Sequence, residues 1–103
     1  MADQKQSNLN VDLEIDRLVH EPVRLKILAY LSAVESADFV FLVSRLSLTM
    51  GNLSAHISKL QEAGYIQVDK SFKENRPHTM LSLTELGSAA FSKYRTGMLQ
   101  LLG

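Results

Sequence analysis

Residues 48–66 read LTMGNLSAHISKLQEAGYI, and this stretch carries the clearest local signals for secondary structure in the chain. Thr49 suits the N-cap of a helix because its hydroxyl can accept a hydrogen bond from a free backbone amide of the first turn. Gly64 suits the residue just past the C-terminus because it adopts a left-handed backbone at little cost. The stretch therefore predicts a helix over 49–63. Its inward side would carry three apolar residues at helical spacing: Leu53, Ile57 and Leu60.

Upstream of this helix, the sequence predicts two further helices and a tight turn. The apolar spacing over 22–34, with a proline suited to the first helical position, predicts the longer helix. A short helix over 40–46 follows, although FVFLV (39–43) also fits a short strand. Residues 47–49 would then join the short helix to helix 49–63 as a helix-turn-helix.

Downstream of Gly64 the apolar period shortens to two residues, which is typical of β-strands. YIQVDKSF (65–72) and TMLSL (79–83) are predicted to pair as a β-hairpin, with KENRPH (73–78) as a polar loop at its tip. Thr84 would cap a last helix, in which every fourth residue is apolar down to the C-terminus: Leu86, Ala90, Tyr94, Met98 and Leu102. We expect the first two of these to lie over the core of the domain.

The N-terminal residues divide into a polar segment and a further apolar stripe. MADQKQSNLN (1–10) is expected to be a mobile tail, and residues 11–19 show the apolar spacing of a helix. Both this helix and the end of the last helix carry apolar side chains that a domain over 11–103 is too small to cover. The sequence therefore predicts a homodimer joined through the terminal helices, at Val11, Ile15, Leu18, Tyr94, Met98, Leu101 and Leu102. The alternative, in which the last helix folds back along helix 11–19 of the same chain, stays open.

The composition is that of one ordinary globular domain, and it excludes several kinds of site. The 103 residues are 46% hydrophobic and include no cysteine, so disulfides, thiolate zinc sites and cysteine nucleophiles are excluded. The three histidines lack metal-ligand spacing, and no glycine-rich loop, carboxylate pair or triad motif is present. We therefore expect neither an enzyme nor a protein with a cofactor or metal. No apolar run approaches the ~20 residues of a membrane span, which favours the cytoplasm.

The chain carries no net charge, which argues against indiscriminate binding to polyanions, but its charges are unevenly distributed. Residues 1–44 hold 4 basic and 7 acidic side chains, whereas residues 45–103 hold 7 basic and 4 acidic ones. No Asp or Glu occurs between Arg45 and Gln61. The outward positions of helix 49–63 are thus small or hydrogen-bonding, which suits contact with bases and phosphates in a DNA major groove: Thr49, Met50, Gly51, Asn52, Ser54, Ala55, Ser58 and Lys59.

The hairpin provides a second candidate contact with DNA. Its tip region is polar and basic, and it can meet the neighbouring backbone or a minor groove through Lys70, Lys73, Asn75, Arg76 and His78. His56 lies beside the inward Ile57 and is interpreted as a packing or helix-linking residue rather than a ligand.

Three segments together resemble the winged helix-turn-helix transcriptional regulators of the MarR and ArsR type: LVHEPVRLKILAYL (18–31), the stretch 48–66, and VDKSFKENRPHTMLSLTELG (68–87). The resemblance implies an α+β fold, mostly α, with a three-helix core, a β-hairpin wing and a C-terminal helix. It also implies a recognition helix at 49–63 in the major groove and a wing at 65–83 on the backbone or minor groove.

The resemblance has functional implications as well. Such proteins are usually homodimers, so the resemblance implies a pseudo-palindromic double-stranded operator. It also implies a sequence-specific regulator that acts as a repressor, with Arg76 as its basic wing residue. Metal-sensing members use Cys or His clusters, and larger members frame a ligand pocket with longer terminal helices. This chain has no cysteine and a short last helix, so a small-molecule effector is not identified. The alternative function is a winged-helix module for protein–protein contact, which the neutral net charge favours.

Overall fold

The computed structural model describes residues 15–103, which form four helices and a three-stranded sheet. In chain order the elements are α1 (Pro22–Ser32), β1 (Ala37–Asp38), α2 (Phe39–Arg45), α3 (Met50–Glu62), β2 (Ile66–Lys73), β3 (Arg76–Leu83) and α4 (Glu85–Leu102). This order agrees with the predicted three-helix core, hairpin and C-terminal helix. The segment over 1–10, predicted as a tail, lies outside the described residues.

The antiparallel sheet has β3 at its centre, between β1 and β2. β1 contributes two pairs, Ala37 with Leu81 and Asp38 with Met80, whereas β2 and β3 pair along their whole length. The hairpin is therefore part of a three-stranded sheet at its base and a two-stranded ribbon at its far end.

The hydrophobic core lies between α1, α2, α3 and the base of the sheet. Side chains with no exposed surface come from each of these elements, among them Ile27, Leu42 and Leu81. α3 contributes the three residues predicted from its apolar spacing, Leu53, Ile57 and Leu60. Because burial of one such side chain contributes about 1.5–3 kcal/mol, this side of α3 is sufficient to hold the helix against the body.

Every described helix begins at a side chain that accepts a hydrogen bond from a backbone amide of the first turn. The predicted caps Thr49 and Thr84 are confirmed, with hydroxyl oxygens 3.0 Å and 2.9 Å from the amides three residues later. Glu21 and Asp38 cap α1 and α2 in the same way, at 2.7 Å and 3.0 Å. The cap at Asp38 favours a helix over 39–45, so the alternative of a strand over 39–43 is wrong. The predicted helix 22–34 ends earlier, at Ser32.

The helix predicted over 11–19 is not found in its described part, which forms a turn. The Oδ1 atom of Asp16 accepts hydrogen bonds from the amides of Leu18 and Val19 at 2.9 Å and 3.3 Å. A short acidic side chain that binds nearby amides competes with helix formation. Val19 is fully buried and Leu18 packs against the core, so the turn covers the domain. Val11 lies outside the described residues.

Tyr65 connects this turn to the base of the hairpin and to α4. Its hydroxyl donates a hydrogen bond to the Oδ2 atom of Asp16 at 2.7 Å, and its carbonyl accepts one from the amide of Thr84 at 3.1 Å. The hydrogen bond to Asp16, together with partial burial and the negative charge of that carboxylate, raises the pKa of Tyr65 to about 12.

The tip of the hairpin differs from the prediction. A polar loop over 73–78 is wrong, because β2 continues to Lys73 and β3 begins at Arg76. The two residues between them, Glu74 and Asn75, have φ values of 54° and 65°. Two successive residues with positive φ form a type I′ turn, whose twist matches that of the paired strands.

Pro77 is the residue that favoured a loop, yet β3 accommodates it. It pairs with Phe72, next to the pair Lys73 and Arg76 that closes the turn. In a two-residue hairpin the closing pair exchanges both backbone hydrogen bonds, so at the next pair the backbone amides point away from the partner strand. β1 does not reach this far, so the missing amide hydrogen of Pro77 removes no hydrogen bond from the ladder.

α4 also packs with a different phase from the one expected. Leu86, predicted to lie over the core, is 57% exposed. The buried residue of the first turn is Gly87, which packs against the backbone of Tyr65, and farther along the helix Phe91 and Tyr94 contact the core. The helix therefore docks through a close backbone approach, and this approach turns Leu86 toward solvent.

We expect Gly87→Ala to destabilise the fold. An added Cβ atom would overlap the carbonyl group of Tyr65, and the required backbone shift should cost about 2–3 kcal/mol of unfolding free energy. Gly51→Ala is the matched control, because its Cβ would meet nothing within 4 Å, and it should be neutral or stabilise by up to about 1 kcal/mol. Urea unfolding followed by circular dichroism measures both variants. Equal unfolding midpoints would contradict the close approach.

We expect Tyr65→Phe to change how stability depends on pH. The pKa of Tyr65 is raised from 10.0 to about 12 in the folded chain, so its contribution is present below pH 10 and is lost as the pH rises toward 12. The variant should be less stable than the wild type by about 1 kcal/mol near neutral pH, and this difference should shrink above pH 10. The measurement is the urea midpoint of both proteins across that range. A difference that does not vary with pH would count against the Asp16 hydrogen bond.

Candidate nucleic-acid interface

α3 carries its predicted DNA-contact residues on the side that faces solvent. The helix begins directly after the turn at 47–49, where Ser47 adopts a φ of 55°, and its apolar side lies on the core. All of the predicted residues are exposed: Thr49, Met50, Gly51, Asn52, Ser54, Ala55, Ser58 and Lys59. The structure thus brings them together on one side of one helix, which we call the α3 surface.

The α3 surface has the electrostatics of an anion-facing element. No carboxylate interrupts it, because the sequence has no acidic residue between Arg45 and Gln61. The N-terminal end of α3 adds the positive partial charge of its unpaired amides. The hydroxyl oxygen of Thr49 accepts from the amide of Asn52, so Thr49 acts as the cap, while the side chain of Asn52 is exposed. An exposed amide side chain can donate to and accept from a base edge at the same time.

A polar cluster links α3 to the start of α1. The guanidinium Nη1 of Arg24 lies 3.3 Å from Nδ1 of His56, and its Nε donates to the carbonyl of Leu18 at 2.6 Å. The carboxylate of Glu21 lies 3.9 Å from the same imidazole. Partial burial raises the pKa of Glu21. The backbone amide of Arg24 and the nearby His56 together lower it by more, so the pKa lies below its ordinary value. The position of His56 agrees with its interpretation as a helix-linking residue.

The predicted hairpin residues do not form a single patch. Strand alternation places Lys70 on the face that leads to the core, and Lys73 and Arg76 on the opposite face. Asn75 lies in the turn between the strands. Since α3 packs against β2, the hairpin and the α3 surface are nevertheless neighbours.

Lys73 and Arg76 pair directly across the ladder next to the turn. Like charges in such a pair are destabilising, and the adjacent Glu74 offsets them in part. The arrangement concentrates two exposed cations at the far end of the hairpin, at a cost in local stability. A phosphate group between them would remove that cost.

His78 lies two residues farther from the turn than Arg76, on the same face of β3, and its partner is in β1. Its Nε2 atom is 2.7 Å from Oδ2 of Asp38, whose Oδ1 accepts from the amide of Phe41. The amide of Phe41, the amide of Val40 and the nearby His78 keep the pKa of Asp38 below its ordinary value. One carboxylate therefore caps α2 and binds the hairpin at once. A DNA contact by His78 stays a prediction.

α4 presents an apolar groove along its exposed side. The groove has a volume of about 220 Å³ and is lined by Leu25, Phe91, Tyr94, Arg95, Met98, Leu99 and Leu102. Leu99 and Leu102 are 64% and 76% exposed. At its inner end the hydroxyl of Tyr94 lies 2.7 Å from Nδ1 of His20.

The groove gathers some of the predicted dimer residues but not all of them. Tyr94, Met98 and Leu102 line it, and Leu101 is exposed beside it. Ile15 is at the surface of the N-terminal turn, whereas Leu18 packs against the core of its own chain. The sequence did not predict Phe91 and Leu99, because the predicted stripe of the last helix runs through Tyr94, Met98, Leu101 and Leu102. It did not predict Leu25 either, which belongs to α1. The i+3 spacing from Leu99 to Leu102 would have identified that pair.

Over residues 15–103, no helix has the length and apolar character needed to cross a bilayer. Within the same residues, no three His, Cys, Asp or Glu side chains are grouped so that they could hold a metal ion.

The chain has clear relatives among known proteins. A family model described as a winged helix DNA-binding domain matches residues 23–102. An uncharacterised protein of Methanocaldococcus jannaschii is 39% identical over 85 residues, which cover 82% of this chain and 92% of that protein.

Solved structures of similar proteins share the fold. A transcriptional regulator homologue from Pyrococcus horikoshii matches with a TM-score of 0.83 and 25% identity, over 92% of this chain and 94% of that one. A mutant form of MarR from E. coli matches with a TM-score of 0.72 and 22% identity, over 98% of this chain and 72% of that one. The predicted resemblance and the predicted fold class are confirmed.

Proposed function

The chain belongs to the winged helix DNA-binding domain family, and from this premise we propose that it is a sequence-specific regulator of transcription that acts as a repressor. In this proposal α3 lies in the major groove of double-stranded DNA, and the hairpin contacts the adjacent backbone or minor groove. Two copies of the chain bind the two halves of a pseudo-palindromic operator.

The α3 surface is the observation that carries this proposal. It consists of the exposed cap Thr49 and seven exposed residues, none of them acidic, on one side of a helix of 13 residues. Such a helix is about 20 Å long, and a major groove about 12 Å wide accepts a helix of this kind. The exposed amide and hydroxyl groups of the surface are suited to base edges, and Lys59 is suited to a phosphate.

The groove on α4 supports the homodimer. Its exposed leucines are the kind of apolar patch that soluble monomers avoid, and pairing two α4 helices about a two-fold axis would bury it on both copies. Such a pair would separate the two α3 helices by about one turn of DNA, ~34 Å, which is the spacing of operator half-sites.

Selection of bound sites from random duplex DNA tests the function. We expect enrichment of one site with two inverted half-sites whose centres are about 10 base pairs apart. Failure to enrich any duplex would overturn the proposal and favour the alternative, a module for protein–protein contact. Enrichment of a site without inverted symmetry would overturn the two-fold arrangement.

Asn52→Ala should relax base preference at one position of each half-site. Asn52 is exposed in the first turn of α3, where side chains reach deepest into the groove. We expect a loss of roughly 1–3 kcal/mol on the selected site and a smaller loss on sites with another base there. Asn52→Asp keeps the size but removes the donor, so it should be at least as damaging. Binding isotherms on a panel of single-base variants measure the effect; a uniform loss would make Asn52 a backbone contact.

Arg76→Ala should weaken binding to all sequences by a similar factor. Arg76 stands at the far end of the hairpin beside Lys73, where it can reach a phosphate. Loss of one phosphate contact should reduce the slope of log affinity against log salt by about one unit. Lys93→Ala, which removes an exposed cation from α4, is the control and should leave the slope unchanged. If Arg76→Ala retains the full slope, the hairpin tip does not contact the DNA backbone.

Met98→Glu combined with Leu102→Glu should convert the dimer into a monomer. Both residues line the groove, and burying two carboxylates per chain in a mostly apolar interface would be unfavourable. Sedimentation equilibrium at micromolar concentration should give twice the chain mass of 11.5 kDa for the wild type and the chain mass for the variant. Leu86→Glu replaces an exposed leucine of α4 outside the groove and should stay dimeric. A wild type that sediments as a monomer would overturn the dimer.

A further inference from the structure

The hairpin carries an aromatic side chain that does not pack in the hydrophobic core. Phe72 is 77% exposed, although it lies on the same face of β2 as the buried Ile66. Its cross-strand partner on that face is Pro77, which is also exposed. We call these two residues the apolar pair. They lie beyond the two residue pairs that β1 contributes, in the two-stranded part of the hairpin.

The apolar pair is therefore not part of the core, and strand formation does not require it. A threonine or lysine would serve an exposed strand position equally well and would not place an aromatic ring in water. The pair forms one wall of a shallow depression of about 290 Å³, whose lining also includes Lys70, Ser71, His78 and Thr79. An exposed apolar surface of this kind indicates a contact with another molecule.

The charges around the apolar pair indicate which molecule this is. Lys70 lies on the same face, two pairs nearer the base, and Lys73 and Arg76 lie on the opposite face at the next pair toward the turn. A polynucleotide strand alternates anionic phosphates with the largely apolar faces of its deoxyribose rings. An aromatic ring flanked by cations matches this alternation, whereas a purely apolar partner would leave the cations without counter-charges.

We infer that Phe72 and Pro77 pack against the deoxyribose wall of the minor groove that flanks the α3 site. The inference rests on the proposed function and adds to it a contact that involves no charge. With the hairpin standing edgewise in the groove, its apolar face meets one wall, and Lys73 and Arg76 meet the phosphates of the other. Apolar side chains are known to enter minor grooves in this way.

This contact differs from the basic contacts in a measurable respect. Neutralising a phosphate releases a counterion, so the contribution of a cation falls as salt is added. The burial of Phe72 against sugar releases no counterion and should be insensitive to salt. The two kinds of contact can therefore be separated by comparing affinities and salt slopes.

The experiment measures the affinity of the full chain for its selected operator across a range of salt concentrations. We expect Phe72→Ala to weaken binding about tenfold, equivalent to 1.4 kcal/mol, with an unchanged salt slope. Phe72→Leu keeps an apolar side chain and should recover most of the affinity. Lys70→Ala should reduce the slope by about one unit. Phe41→Ala removes another exposed phenylalanine, 51% exposed on α2, and should bind like the wild type.

Circular dichroism and sedimentation of the same proteins exclude other causes. Phe72→Ala should keep the wild-type spectrum and mass, while Phe72→Thr, which retains a strong strand former, should show the same loss of affinity. Wild-type affinity in Phe72→Ala alongside a weakened Arg76→Ala would overturn the inference and leave the proposed function standing. A changed mass for Phe72→Ala would overturn it as well, because the pair would then join copies of the chain. If the wild type itself binds no duplex, the proposed function has failed.

Discussion

The approach of Gly87 to the backbone of Tyr65 is the constraint on which the arrangement of this domain depends. Tyr65 follows the end of α3 and precedes β2, and its carbonyl accepts from the amide that opens α4. Its hydroxyl holds Asp16 of the N-terminal turn. One residue therefore relates the end of α3, the base of the hairpin and the start of the helix that carries the apolar groove. Any side chain at 87 would separate these elements.

The parts of the structure that could be predicted are those encoded by local chemistry. α3 has a threonine cap, an apolar side of three residues and a glycine with a φ of 80° just past its end, and each of these signals depends only on neighbours in the chain. The exposed residues of the α3 surface follow directly from the phase of that helix. The cap residue Thr84 likewise predicts the start of α4.

The parts that could not be predicted depend on contacts between distant residues. The apolar spacing of 11–19 is compatible with a helix, but Asp16 is engaged by the hydroxyl of Tyr65 and by nearby amides, and the described residues turn instead. Glu74 carries no sequence signal for positive φ, so the sequence predicts a loop where the structure has a two-residue turn. The phase of α4 is set by Gly87, whose neighbour Tyr65 lies 22 residues earlier. In the candidate site, the same limitation applies to Arg24 and to Leu25, the groove residue contributed by α1.

The zero net charge of the chain proved compatible with a DNA-binding fold, because the charges are segregated by position. Carboxylates with structural partners, such as those of Glu21 and Asp38, are used as helix caps near histidines. Two cations, Lys73 and Arg76, pair at the hairpin tip, with Glu74 and Asn75 between them in the chain. Net charge averages over both groups, whereas a polyanion meets the local arrangement of charges on the surface that it approaches.

Asp38 illustrates how few substitutions a small domain tolerates at a residue with two structural roles. Its two carboxylate oxygens serve two different structures, the first turn of α2 and the imidazole of His78 in β3. Asparagine would keep the cap but would place an uncharged amide beside the histidine, and serine would reach the amide but not the histidine. The position of α2, which is the first helix of the helix-turn-helix, and the position of the hairpin therefore both depend on Asp38. A substitution at Asp38 that changes the orientation of α2 also changes that of the hairpin. DNA preference in this fold can therefore diversify more readily along the exposed side of α3 than through the tilt of its hairpin.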